Sequence, residues 1–194
     1  MKRLPPSLHA RALVWLGQRE HSRAELRSKL LRAARAAQRR ERAGADGAAA
    51  RVPGSDAAST DAAAPEDDET ETAIAARVER LLDTLQAEGL LSEQRFVESR
   101  VRVRAAGHGA RRIEHELARH GLKLPAAQQQ GLRDSELQRA AALWRRRFGS
   151  AASDERERAR QARFLAGRGF SGEVIRRVLA LAGALPDDDA VDPV

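Results

Sequence analysis

Apolar residues recur along this chain at intervals of three and four, punctuated by glycine, proline and serine, and that rhythm predicts helices throughout. Leu8, Ala12, Trp15 and Leu16 give one face to a first helix over residues 8–19, behind Pro5 and Pro6. Ser22-Arg-Ala-Glu25 has the form of a capping box, in which the serine oxygen accepts from the third helical N–H; it opens a second helix that buries Leu26, Leu30 and Ala34. The basic run Arg35 to Arg42 can prolong it. Ile74, Val78, Leu81, Leu82 and Leu85 form the stripe of a third, closed by Gly89 and Leu90. Ser92 caps a fourth, with Phe96, Val97, Val101 and Val103 on its apolar side and an end near Ala106 and Gly107. Ile113 and Leu117 share a face of the fifth, which Gly121 stops so that Leu122 can fold back onto Leu117. A sixth follows Pro125 over 125–133, and Ser135-Glu-Leu-Gln138 is a second capping-box start, for a seventh carrying Leu137, Ala141, Trp144 and Phe148 and ending at Gly149. The eighth, 154–167, holds Phe164 and Leu165 and stops at Gly169-Phe170; Ser171 caps the ninth, with Val174, Ile175, Val178 and Leu179. No run of alternating β-branched residues suggests a strand.

These helices are not independent of one another. Leu117 and Leu165, each four residues ahead of a glycine–apolar stop, stand 48 positions apart. Leu30 lies 87 positions before Leu117, a distance that falls to about 49 once an insertion of roughly 38 residues is removed. A period near 50 predicts an all-α chain of three tandem three-helix repeats, packed end to end into an elongated, curved array. The first repeat is expected at 7–90, the second at 91–134 and the third at 135–183, with a tail at 184–194. Within the first, residues 43–72 turn to alanine, glycine, aspartate and serine with Pro53 and Pro65; a stretch so poor in large apolar side chains reads as a disordered insertion.

Composition sharpens this picture. Only 3% of the 194 residues are aromatic and none is tyrosine, which suits a thin core of leucine and alanine. The absence of cysteine excludes disulfides, thiolate catalysis and cysteine-based zinc sites. The prolines at 5 and 6 break the opening segment before it reaches the apolar length of a signal peptide, and no stretch approaches about 18 consecutive apolar residues, so a cytoplasmic protein without a membrane span is expected. The formal charge of +7 is unevenly spread: residues 1–42 hold 12 Lys+Arg against 3 Asp+Glu, residues 43–76 hold 1 against 8, and the tail has 4 Asp and no base. Nearly all the base is arginine, whose planar fork suits carboxylate or phosphate, although high-GC codon usage would enrich arginine equally.

Catalytic chemistry finds no foothold. His115 and His120 are five apart and do not share a helix face, while His108 lies in a glycine turn, so no metal is expected. There is no glycine-rich phosphate loop, no G-x-S-x-G and no pair of carboxylates on a strand or loop, which leaves neither an enzyme nor a cofactor to expect. What remains is binding through an extended basic surface. The candidate contacts are Arg95, Arg100, Arg102, Arg104, Arg111 and Arg112 in the centre, Arg19, Arg23 and Lys29 before it, and Arg163, Arg168, Arg176 and Arg177 after it. Several could instead pair with Glu93, Glu98, Glu114 or Glu116. Scarce aromatics argue against base stacking, but composition does not separate phosphate from an acidic protein surface as the target.

The order Arg95-Phe96, a run of arginines, Gly107-x-Gly109, Arg111-Arg112-Ile113 and Glu116-Leu117-x-x-x-Gly121-Leu122 resembles the central repeat of the RecX recombination regulators. LVWLGQREHSRAELRSKL at 13–30 is similar to that family's opening repeat, and RFLAGRGFSGEVIRRVL at 163–179 to its closing one. Where the family has a short connection, this chain has the 43–72 insertion. The resemblance implies a protein that lodges in the groove of the RecA nucleoprotein filament and inhibits its ATPase, strand-exchange and coprotease activities, with single- or double-stranded DNA open as a further partner of the basic faces; a monomer is expected. Two rivals stand beside it. A helix-turn-helix regulator would use the helix pair at 92–122 and place its second helix in the major groove, yet that helix is balanced in charge and has no Asn or Gln to read adenine. A general nucleic-acid-binding protein acting without RecA would bind any strand with a steep salt dependence.

Overall fold

Four glycines hold the left-handed conformation, Gly89, Gly121, Gly149 and Gly169, at φ of 70, 75, 79 and 84°, and each follows the end of a helix. The computed structural model describes residues 6–49 and 66–184, with side chains at 6–40 and 71–183. Among these residues the chain forms nine helices and no strand: α1 (Leu8–Gln18), α2 (Arg23–Ala49), α3 (Glu66–Ala87), α4 (Glu93–Ala105), α5 (Ala110–Ala118), α6 (Ala126–Asp134), α7 (Glu136–Arg147), α8 (Glu155–Gly167) and α9 (Gly172–Ala184).

Three of the glycine stops share one hydrogen-bond pattern. After α5 the Gly121 N–H donates to Ala118 O (2.9 Å) and the Leu122 N–H to Leu117 O (3.1 Å); after α8 Gly169 donates to Ala166 O (2.9 Å) and Phe170 to Leu165 O (3.3 Å). After α3 the bonds are Gly89 to Gln86 O and Leu90 to Leu85 O. Orphan carbonyls are thereby satisfied, and the chain is turned so that the next apolar residue meets the helix it has left. Leu122 and Phe170 do so, whereas after α3 Leu91 is buried and Leu90 stays 41% exposed.

The chain divides into two compact units, residues 1–93 and 94–194. In the first, Ala12 of α1, Leu26, Leu30 and Ala34 of α2, Ile74, Val78, Leu82 and Leu85 of α3, and Leu91 form one core, with Trp15 packed partly buried against it. Ser22 Oγ accepts from the Glu25 N–H at 3.1 Å, the expected cap of α2. The second unit has two clusters: Phe96, Val97, Ala110, Ile113, Leu117 and Leu132 across α4–α6, and Ala140, Leu143, Trp144, Leu165, Phe170, Ile175, Val178 and Ala182 across α7–α9. The buried Trp144 indole N–H donates to Gln161 Oε1 at 2.8 Å, which satisfies two polar groups at once.

Some local expectations give way to other forces. Val103 is not buried with Phe96 and Val97 but 68% exposed, two turns on from Phe96 near the C-terminal end of α4, where the core no longer covers that face. Ser135 does not cap α7: its backbone is helical (φ −88°, ψ −4°) and its hydroxyl donates backwards to Gly131 O at 2.8 Å, so α6 runs almost directly into α7. The helices also reach into the segment read as an insertion. Its middle, 50–65, lies outside the described residues, as does the tail beyond Ala184, but α2 continues to Ala49 and α3 begins at Glu66. Alanine is the best helix former, and acidic residues favour a helix N-terminus, which accounts for both extensions.

Candidate partner-binding surface

The candidate residues of the first unit are engaged inside it. Arg19 pairs with Glu25, and its pKa is raised by that hydrogen bond. Arg23 bridges Glu79 (2.7 Å) and Asp83 (2.8 Å), tying α2 to α3. Lys29 donates to His21 Nε2 at 2.8 Å and lies 5.0 Å over the Trp15 ring. In the second unit Arg100 and Arg104 of α4 converge on Glu116 of α5 at 3.4 and 2.9 Å, and Arg100 also covers Phe96. Glu114 turns instead to Gln129 of α6 at 2.7 Å. Among the described residues Arg102, Arg111, Arg112, Arg163, Arg176 and Arg177 are exposed and make no ion pair. Arg168 lies over Phe164, and Arg95 is exposed on α4. Every candidate left open to a partner through lack of an ion pair thus belongs to residues 94–194.

His21 shows what an engaged cation costs in pH tolerance. It is 1% exposed, with Nδ1 2.9 Å from Arg19 O and Nε2 facing the Lys29 ammonium, so the neutral ring donates at one nitrogen and accepts at the other. Burial lowers its pKa, the Arg19 carbonyl opposing and the neighbouring cations adding to the fall. The unfolded chain therefore binds the proton more readily, and stability present above the ordinary histidine pKa is lost as pH falls through the depressed one. Between pH 7 and 5 the first unit should weaken by up to about 1.4 kcal/mol per pH unit from this group, and His21→Gln should lack that component in urea unfolding at a series of pH values.

Three of the open or half-open arginines meet where two turns touch. The Gly109 N–H at the start of α5 donates to Arg168 O at 3.0 Å, and Arg112 Nη1 approaches Gly167 O at 3.4 Å. A Cβ on Gly109 would fall on the backbone of Gly169 and Phe170, and one on Gly169 would lie 2.5 Å from Arg112 Cβ and 2.8 Å from its nitrogen. Only glycine at both positions allows backbone to meet backbone this closely. His108 sits in the same seam. Burial lowers its pKa, a hydrogen bond to the Arg104 carbonyl resists, and the charges of Arg112, Arg168 and Arg104 lower it further. Arg104 of α4, Arg112 of α5 and Arg168 at the C-cap of α8 thus all act electrostatically on one half-buried imidazole.

Two residues that sequence reasoning passed over hold the α4–α5 corner from the other side. Glu136, 5% exposed at the start of α7, accepts from the Ala110 N–H at 2.9 Å and so caps α5, whose own N-cap Gly109 has no side chain to do it. Arg139, one turn on, donates to Ala105 O (2.8 Å), His108 O (2.7 Å) and Leu132 O (2.7 Å). Burial lowers its pKa and Glu136 opposes that. Both were legible only as ordinary helix-surface charges.

A cleft of about 590 Å³ opens beside this corner, with Arg111, Arg133 and Arg177 facing Glu114, Glu136 and Glu173. Its mixed charge does not make an anion pocket. Among the described residues no cluster of His, Asp and Glu could hold a metal, and no helix is long and apolar enough to cross a membrane.

Comparison with known proteins places this arrangement in a lineage. Residues 92–129 match the model of the second three-helix domain of RecX and residues 134–179 that of the third. The chain is 42% identical over 187 residues to the regulatory protein RecX of Leptothrix cholodnii, covering 94% of each, and 39% identical over 190 residues to that of Ralstonia nicotianae, covering 97% of this chain and 96% of the relative. The crystal structure of RecX from Lactobacillus salivarius shares its fold, with a TM-score of 0.53 at 13% identity over 92% of this chain and 96% of that one.

Proposed function

Because the chain belongs to the RecX family of regulatory proteins, we propose that it binds the RecA nucleoprotein filament and inhibits its recombinase, ATPase and coprotease activities, catalysing no reaction itself. The observation that supports this reading is identity above 40% along 94% of the chain to a regulatory protein of that family. Repeats at 7–90, 91–134 and 135–183 are the proposed units of the binding surface. Within it Arg102, Arg111, Arg112, Arg163, Arg168, Arg176 and Arg177 are the proposed contacts, since Arg19, Arg23, Lys29, Arg100 and Arg104 already serve partners within the fold. Arginine forks free of internal carboxylates keep their capacity for bidentate pairing with acidic side chains or phosphates.

The single-strand-dependent ATPase of RecA from the same organism tests the proposal. Added at ratios well below one per RecA protomer and at moderate salt, the protein should depress the steady-state rate, because one bound molecule affects several protomers of a filament. An unchanged rate at equimolar protein that demonstrably binds bare DNA would sink the reading and leave a general nucleic-acid-binding protein in its place.

A further inference from the structure

We propose that the seam between the α4–α5 and α8–α9 turns, formed by His108, Arg112 and Arg168 beside the Glu116-paired Arg104, binds a phosphodiester of a nucleic-acid backbone. The inference deepens the reading above by giving DNA one defined part of the arginine surface. It can fail separately, because its test uses bare DNA without RecA.

Geometry carries the argument. The Gly109 to Arg168 hydrogen bond and the close approach of Gly169 to Arg112 fix the two turns against each other, so the backbone positions of Arg112 and Arg168 are held beside His108, and the charges of both, with that of Arg104, act on its imidazole. Glu116 neutralises part of Arg104 from behind, while Arg112 and Arg168 have no carboxylate partner among the described residues. On α7, Arg139 bonds the His108 carbonyl and Glu136 is spent on the Ala110 amide, so neither supplies a counter-charge to the imidazole. The two turns, Ala105 to Gly109 and Gly167 to Gly169, contribute only glycine, alanine, histidine and arginine. Protein hot spots set arginine among tryptophan or tyrosine anchors, and neither residue stands in these two turns, whereas phosphate needs only fixed donors and positive charge. The imidazole, held neutral by burial and by its cationic neighbours, would regain its proton once a phosphate offset those charges, so binding should take up a proton.

The test is fluorescence anisotropy of a labelled single-stranded oligonucleotide with the full-length protein, across salt and between pH 5.5 and 7.5, with histidine C2–H resonances followed by NMR. Affinity should rise as pH falls, saturating oligonucleotide should move the His108 titration upwards, and His108→Gln should bind with the pH dependence removed. Arg112→Gln/Arg168→Gln, checked for native circular dichroism, should bind at least several-fold more weakly with a log–log salt slope smaller by about 1. A His108 titration unmoved by saturating oligonucleotide overturns the proposal, as does unchanged affinity and slope in the double variant. So does a titration moved by an acidic peptide such as polyglutamate but not by DNA, which would make the seam a protein contact.

Discussion

Gly109→Ala is expected to destabilise residues 94–194 by about 3–4 kcal/mol and to lower their melting temperature by more than about 10 °C. The added methyl would meet the Gly169 carbonyl and the Phe170 amide, which are backbone atoms and cannot swing aside as a side-chain end could. Relief requires the two turns to separate, breaking the Gly109 to Arg168 hydrogen bond and lifting Phe170 from the core that also holds Trp144 and Leu165. Gly107, two residues earlier, is the internal control: its φ is not positive and a Cβ there meets nothing within 4 Å, so Gly107→Ala should stay within about 0.5 kcal/mol of wild type. Urea unfolding followed by the fluorescence of Trp144, in a background where Trp15 is replaced by Phe, reads this unit alone. Equal stabilities for the two alanine variants would show that the seam is not tight.

The contrast between these glycines also marks what a sequence can and cannot disclose. Gly89, Gly121 and Gly169 were readable as helix stops because the left-handed residue, the hydrogen bonds it allows and the apolar residue behind it all lie within six positions. The buried faces of Leu26, Leu30, Val78, Leu82, Leu117 and Leu165 were readable for the same reason, since a helix period is local. Gly109 was readable only as a turn. Its real constraint is the backbone of Gly169, sixty positions away, and no local pattern encodes that meeting. Charge behaved alike. That some central arginines would pair internally was foreseeable, and Glu116 does take Arg100 and Arg104. Which arginines remain open depended on Arg23 reaching Glu79 and Asp83 across the insertion, and Lys29 finding a buried histidine. The arginine-rich centre was therefore visible as a whole, but its division into structural and open cations was not.

Arg139 sets the second large effect, and it lies at the base of the same corner. Arg139→Met keeps the stem but deletes donors to three carbonyls, Ala105, His108 and Leu132, and removes the cation beside the buried Glu136 carboxylate. A loss of about 2–3 kcal/mol is expected, below that of a fully buried ion because the guanidinium is only half-buried and water can reach part of the vacated space. Glu136→Gln should cost less, about 1 kcal/mol, since an amide oxygen still accepts from the Ala110 N–H and only the charge is lost. If the two residues act as one clamp, the double variant should be less destabilised than the sum of the singles, because removing the carboxylate relieves the uncompensated charge that Arg139→Met leaves behind. Additive losses in a urea double-mutant cycle would mean that Glu136 and Arg139 hold the corner independently. Losses under about 0.5 kcal/mol for both would mean that the seam is held by its glycine contact alone. The clamp also has a functional reading, because the corner it fixes carries Arg111 and Arg112, two of the proposed contacts. Under the proposed function, Arg139→Met at a temperature where it remains folded should therefore inhibit RecA more weakly than the wild type while every exposed arginine is still present, and equal inhibition would show that partner binding does not need those arginines held in place.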